Sequence, residues 1–323
     1  MLKPLRHALL VTVITLTSLA AQPALAEPLK VVASFSIIGD FARNVGGDRV
    51  AVTTIVGPDG DAHVYEPSPA DAVAMASAGV VLVNGLHFEG FLQRLVEASA
   101  TKASIVELTK GVKAIEFKPE FAEEEEGNAK AEHHDHDQAS HEGHDHGPVD
   151  PHAFQSVANA KIYVGNIADA FCKADAAGCD GYKANASAYI QKLDALDGEI
   201  HASIDAIPLE KRVVITSHDA FGYFEHEYGL TFLAPQGVST DAEPSAADVA
   251  RLVEQIRADK AAAIFVENIT NPRLIEQIAS ETGIKVGGTL YSDALSQPGG
   301  PAGTYIDMMR NNIAQIKGAI KGS

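Results

Sequence analysis

Val50-Ala51-Val52-Thr53-Thr54-Ile55-Val56-Gly57-Pro58-Asp59-Gly60-Asp61-Ala62-His63 is the stretch on which the fold turns. Val50 to Val56 is apolar and β-branched, the composition of a buried strand. Gly57-Pro58-Asp59-Gly60 stops it, and His63 follows at once. A strand that ends in a turn and then offers an imidazole places that ring at one edge of a sheet.

The same grammar repeats along the chain. Strand-like runs stand at 30–36, 80–83, 104–108, 212–216, 231–234, 263–266 and 285–290. Helical patterns fall between them at 37–45, 70–77, 88–98, 156–173, 245–259, 272–282 and 303–320. Alternation of this kind predicts an α/β fold with parallel sheets covered on both faces. Between the two halves, Tyr189, Leu193, Leu196, Ile200, Ile204 and Ile207 step by three or four residues. They predict one long helix over 182–207, about 37 Å at 1.5 Å per residue, ended by Pro208. The division read from the sequence is a lobe over 27–181, this linking helix, and a second lobe over 208–323.

Met1 to Ala26 carries Lys3 and Arg6, an apolar run from Ala8 to Ala20, and Ala24-Leu25-Ala26 before Glu27. That is the form of a cleavable secretory signal, with an apolar run short for a membrane span. No Cys follows the cleavage point, so a lipid anchor is not expected. The expected location is a bacterial periplasm. Loss of Lys3 and Arg6 takes the formal charge from −18 to about −20. An acidic chain without a basic patch repels nucleic acid and attracts cations. The only two cysteines, Cys172 and Cys179, are expected to form a local disulfide in an oxidising compartment.

Glu120 to His146 lacks apolar periodicity and holds six histidines, His133, His134, His136, His141, His144 and His146, with ten acids. It reads as a metal-contacting loop, spanning 120–147, of auxiliary weak sites. Just after it comes Asp150-Pro151-His152, where Pro151 biases Asp150 toward extended backbone and His152 stands at a turn. His63, His218 and Asp293 each follow a predicted strand. In open α/β sheets ligands bind beyond the carboxyl ends of the strands. Two facing sheets would put His63, His152, His218 and Asp293 around one cleft. Three imidazoles and a carboxylate suit tetrahedral zinc.

Five segments carry a resemblance. They are Gly57-Pro58 with His63-Val64-Tyr65-Glu66-Pro67-Ser68-Pro69-Ala70-Asp71, Asn84-Gly85-Leu86 with Glu89, Asp150-Pro151-His152, Thr216 to Phe224, and Tyr291 to Leu295. Taken in order they resemble the zinc- and manganese-binding periplasmic solute-binding proteins of ABC transporters, the ZnuA-like cluster A-I group. The resemblance implies two Rossmann-like lobes joined by one rigid helix. It also implies a buried site made by His63, His152, His218 and Asp293. Manganese members usually carry a carboxylate where His218 stands, so three histidines point to zinc. His87 departs from the pattern and reads as an orienting group, as do Glu66 and Asp219. The implied function is capture of zinc and delivery to a membrane permease, by a monomer, with a periplasmic zinc metallochaperone as a further partner. A manganese-binding homologue, a zinc-buffering or adhesin protein without a permease, and a zinc hydrolase are the alternatives. No metalloprotease or nucleophile-elbow motif supports the last, and no enzyme is expected.

Overall fold

The computed structural model describes residues 27–117 and 149–322. The signal reading of 1–26 and the six histidines between 133 and 146 lie outside the described residues.

The first lobe has strands β1 (Leu29–Phe35), β2 (Val50–Val56), β3 (Val80–Val83) and β4 (Ser104–Glu107). The second has β5 (Val213–Ile215), β6 (Thr231–Leu233), β7 (Ala263–Glu267) and β8 (Val286–Leu290). The two sheets share one topology: β2-β1-β3-β4 and β6-β5-β7-β8, with every named pair parallel. Strand order therefore reverses between β1 and β3, and again between β5 and β7. Those two reversals open the crevices where such sheets hold ligands.

Helices α1 (Ser36–Gly46), α2 (Pro69–Ser77), α3 (Leu92–Ser99) and α4 (Val157–Ala174) serve the first lobe. Helix α5 (Cys179–Asp205) links the lobes, and α6 (Gly222–Tyr228), α7 (Ala246–Asp259), α8 (Arg273–Thr282) and α9 (Tyr305–Lys321) complete the second. Local chemistry sets several starts. Ser68 and Ser245 form capping boxes with Asp71 and Asp248. Helix α3 starts at Leu92, four residues later than the periodicity predicts, and the turn before it holds Leu86 and His87 at positive φ (53° and 62°).

Helix α5 begins three residues earlier than predicted. The Asp175 side chain accepts from Gly178 N–H and shapes a tight turn that runs straight into it. The Cys172–Cys179 disulfide joins the end of α4 to the start of α5. The buried stripe of α5 is Tyr182, Ala186, Tyr189, Leu193, Leu196, Ile200 and Ile204. It packs on α1, α4 and α9, so one helix of 27 residues, about 40 Å long, touches both lobes. At its second-lobe end Arg310 makes a bidentate pair with Glu199, both bonds 2.8 Å.

Polar contacts tie the lobes together around the cleft. Leu295 N–H donates to Ser36 Oγ (2.9 Å), and Asp59 N–H to Leu295 O (2.9 Å). Gln155 Nε2 donates to Ser292 O (2.6 Å), and Tyr305 Oη to Phe154 O (2.7 Å). These bonds pair backbone and side-chain groups of one lobe with those of the other, while Gln155 Oε1 and Ser292 Oγ stay buried without a partner at the same seam.

Candidate metal centre

His63, His152, His218 and Asp293 each offer one ligand atom, and these atoms lie within 4.8 Å of one another. Four separate segments build the group.

His63 sits in the loop after β2. Its backbone N–H donates to Asp61 Oδ1 (2.9 Å), which fixes the turn. Its ring meets the Phe88 ring edge-on with centroids 4.8 Å apart. His152 is held by Asp150, whose Oδ1 lies 2.8 Å from both the backbone N and Nδ1 of His152. A carboxylate at Nδ1 keeps the proton there and leaves Nε2 free to ligate. This is what the turn at Pro151 accomplishes.

His218 follows β5 and answers to Glu267, the last residue of β7. Glu267 Oε1 accepts from the backbone N–H groups of Ser217 (2.7 Å) and His218 (2.9 Å). Its Oε2 lies 2.6 Å from His218 Nδ1, close but off the line of a good hydrogen bond, so the attraction is chiefly coulombic. Asp293 follows β8 with no solvent exposure. Its Oδ2 is 3.1 Å from both His63 Nε2 and His218 Nε2. Its Oδ1 is 3.6 Å from His152 Nε2 and has no hydrogen-bond partner.

The separations can be tested against a cation. A tetrahedral ion with bonds near 2.05 Å has ligand–ligand edges of about 3.3 Å. The observed edges include 3.1, 3.1 and 3.3 Å. Three edges thus already match a tetrahedral ion. The group as a whole spans up to 4.8 Å and must contract to close on one, and the orphaned Asp293 oxygen marks unmet demand for positive charge.

Electrostatics agree. Burial alone would push His152 down, but the carboxylates of Asp293 and Asp150 outweigh it and raise its pKa to about 9. His218 follows the same balance: burial lowers it, while Glu267 and Asp293 carry it well above the usual range. Burial would raise Asp293, yet His152 and His218 draw it well below the usual carboxylate range. Without a cation, protons supply the positive charge that this cluster of acids demands.

The remaining expected site residues fall differently. Glu66 is exposed and only loosely paired with Arg94 at 3.8 Å, so it does not orient a ligand. It turns outward because the chain after it enters the Ser68 cap of α2. His87 is exposed as well, aimed away by its positive-φ turn, and stands outside the four-ligand group. Asp219 lies near the centre, where burial raises its carboxyl to about 6, but no hydrogen bond joins that carboxylate to a ligand ring. The orienting carboxylates are Asp150 and Glu267. Both were open to sequence reasoning in one respect: Glu267 is an acid closing an apolar strand, and Asp150 stands two residues before His152.

Comparison with known proteins follows the geometry. Residues 31–319 match the model of the family described as zinc-uptake complex component A, periplasmic (ZnuA). The manganese-binding lipoprotein MntA of Halalkalibacterium halodurans is 34% identical over 287 residues, 89% of this chain and 87% of that protein. The iron-binding protein YfeA of Yersinia pestis is 32% identical over 320 residues, 97% of this chain and 95% of that one. Among solved structures, the periplasmic zinc-binding protein TroA of Treponema pallidum aligns with a TM-score of 0.78 at 28% identity, covering 91% of this chain and 99% of that one. The chain is a member of the ZnuA family of metal-binding substrate-binding proteins of ABC transporters.

Proposed function

We propose that this protein captures zinc between its lobes in the periplasm and hands it to an ABC permease. The observation that carries the reading is the donor set. Three imidazole nitrogens and one carboxylate oxygen lie within 4.8 Å of one another, with three of the separations between 3.1 and 3.3 Å, and each imidazole is a good zinc donor. Asp150 and Glu267 hold two of the rings with Nε2 turned inward, which lowers the reorganisation needed on binding.

A binding role is favoured over hydrolysis by ligand count. Catalytic zinc keeps one position open for water, whereas four protein donors fill a tetrahedron. A buffering or adhesin role uses the same site without a permease. Growth of a deletion strain in limiting zinc, with and without the permease, separates the two.

One observation favours manganese or iron as a second reading. Asp293 Oδ1 is unpartnered and inward, so the carboxylate could bind through both oxygens and enlarge the shell. The relatives named for manganese and iron point the same way. Competition titration of the purified protein with zinc and manganese decides it. Displacement of bound manganese by one equivalent of zinc supports the proposal, and the reverse supports the second reading.

A further inference from the structure

A cavity of about 350 Å³, walled mostly by the second lobe, is bordered by sequence neighbours of His63 and His218. Its wall includes Asp61, Ser217, Gln236, Thr240, Glu243 and Thr270. Asp61 and Ser217 tie it to the site. Asp61 sits two residues before His63 and holds its backbone N–H, and Ser217 sits immediately before His218. Asp61 Oδ2 also accepts from Thr240 Oγ1 across the lobes at 2.6 Å, so one carboxylate spans the cavity rim and the ligand loop.

Two features of the wall point to an occupant. Ser217 is only 2% exposed, yet its Oγ has no hydrogen-bond partner, and Thr270 Oγ1 is also buried without one. A buried hydroxyl left unpaired costs stability unless something meets it. The wall is also dominated by oxygen: carboxylates of Asp61 and Glu243, hydroxyls of Ser217, Thr240 and Thr270, and the Gln236 amide. Arg273, in the first turn of α8, is the cation among these lining residues, so the two carboxylates outnumber it. Hard oxygen donors suit a divalent cation that keeps its water shell. At about 30 Å³ per water, the cavity has room for a hexahydrated ion and a few further waters.

We propose that this cavity is an antechamber for the hydrated divalent cation on its way to and from the four-ligand site. The proposal rests on the metal-binding reading above. Water-bound metal is received on oxygen, then exchanges its waters for the imidazoles of His63, His152 and His218 next door. The cavity wall supplies hydrogen-bond acceptors and donors to the water shell, and no protein–metal bond forms there.

A residue on a route differs from a ligand in kinetics. It changes association and dissociation by the same factor and leaves Kd alone. The experiment is stopped-flow zinc binding and chelator-driven release with the full chain, comparing wild type with Ser217→Ala, Glu243→Gln and a control, Glu254→Gln, an exposed acid of α7 outside the cavity. Glu243 is exposed on a loop, so its variant retains the fold even where Ser217→Ala does not. The expected result is that each cavity variant slows both rates, Glu243→Gln by on the order of tenfold, with Kd within about threefold of wild type and the control unchanged. Unchanged rates in the cavity variants overturn the antechamber. So does equal slowing in the control, which would assign the effect to the overall field, and so does a changed Kd. If wild type binds zinc no better than His218→Ala, the metal-binding reading itself fails, and that outcome is separate.

Discussion

Glu267→Gln isolates the role of a buried carboxylate that touches no metal. In the native protein Glu267 Oε1 accepts two backbone N–H bonds, from Ser217 and His218, at 2.7 and 2.9 Å. Both donors are buried, so a glutamine must turn its carbonyl oxygen toward them or leave them unpaired. That choice forces the glutamine NH₂ toward His218 Nδ1, where Oε2 now lies 2.6 Å away. An NH₂ group there needs Nδ1 as an acceptor, which moves the imidazole proton to Nε2. Nε2 is the atom 3.1 Å from Asp293 and the one that must bind the cation. The substitution thus preserves shape and the two backbone hydrogen bonds, removes the negative charge beside Nδ1, and favours the wrong tautomer. Loss of such an orienting partner costs roughly 10- to 100-fold in metal affinity, about 1.4–2.8 kcal/mol. The assay is a chelator competition titration, with the melting temperature of the metal-free protein as a check on folding. Affinity within threefold of wild type, in a folded variant, would refute the tautomer argument.

Further outcomes follow from the same geometry. The raised pKa of His152, about 9, means that zinc must displace a proton across the whole neutral range. Affinity is expected to rise with pH up to about 9 and to fall about tenfold per pH unit for each proton displaced below it; a flat profile from pH 9 to 6 contradicts this. In the metal-free protein a histidine with a raised folded pKa stabilises fully below its unfolded value near 6.5 and loses that contribution as pH climbs through 9. Its melting temperature is therefore expected to drop between pH 6.5 and 9, more than that of the loaded protein, and equal drops would count against the assignment. Thr240→Val removes the donor to Asp61, a hydrogen bond between the lobes worth about 1 kcal/mol, so the melting temperature of the metal-free protein should fall by roughly 2–4 °C, and an unchanged value would count against that bond. Deleting 120–146 should abolish weak zinc binding, leave the tight site intact, and slow loading from limiting or protein-bound zinc; equal loading rates would leave those histidines without a transfer role.

Much of this architecture was readable from residues. Most strand runs are short, apolar and β-branched and closed by polar turn residues, so their positions follow from composition; β1, which runs directly into α1, and the glycine-containing β8 are the exceptions. Val50–Val56 and Val80–Val83 coincide with β2 and β3 to the residue. The four side chains that the structure brings together each stand just past a strand or beside a proline turn, at the mouth of a crevice. The orienting acids were harder to read. Glu267 reaches His218 only because β5 and β7 are neighbours in the sheet, a pairing between strands that are not consecutive in sequence. Glu66 misled for the opposite reason. Its closeness to His63 in sequence says nothing of direction, and the capped start of α2 turns it to solvent. His87 read as an orienting group, but it stands exposed in a turn where it and Leu86 both take positive φ. Where side-chain direction depends on a turn's backbone sign, spacing alone carries no information.

The measurement closest to the central claim is a calibrated competition between zinc and manganese for the metal-free protein, read by elemental analysis after desalting, for wild type and His218→Ala. The account predicts one tightly held zinc per wild-type chain in the presence of excess manganese, and loss of that zinc in His218→Ala. Retention of manganese over zinc by wild type, or undiminished zinc in the variant, would contradict it.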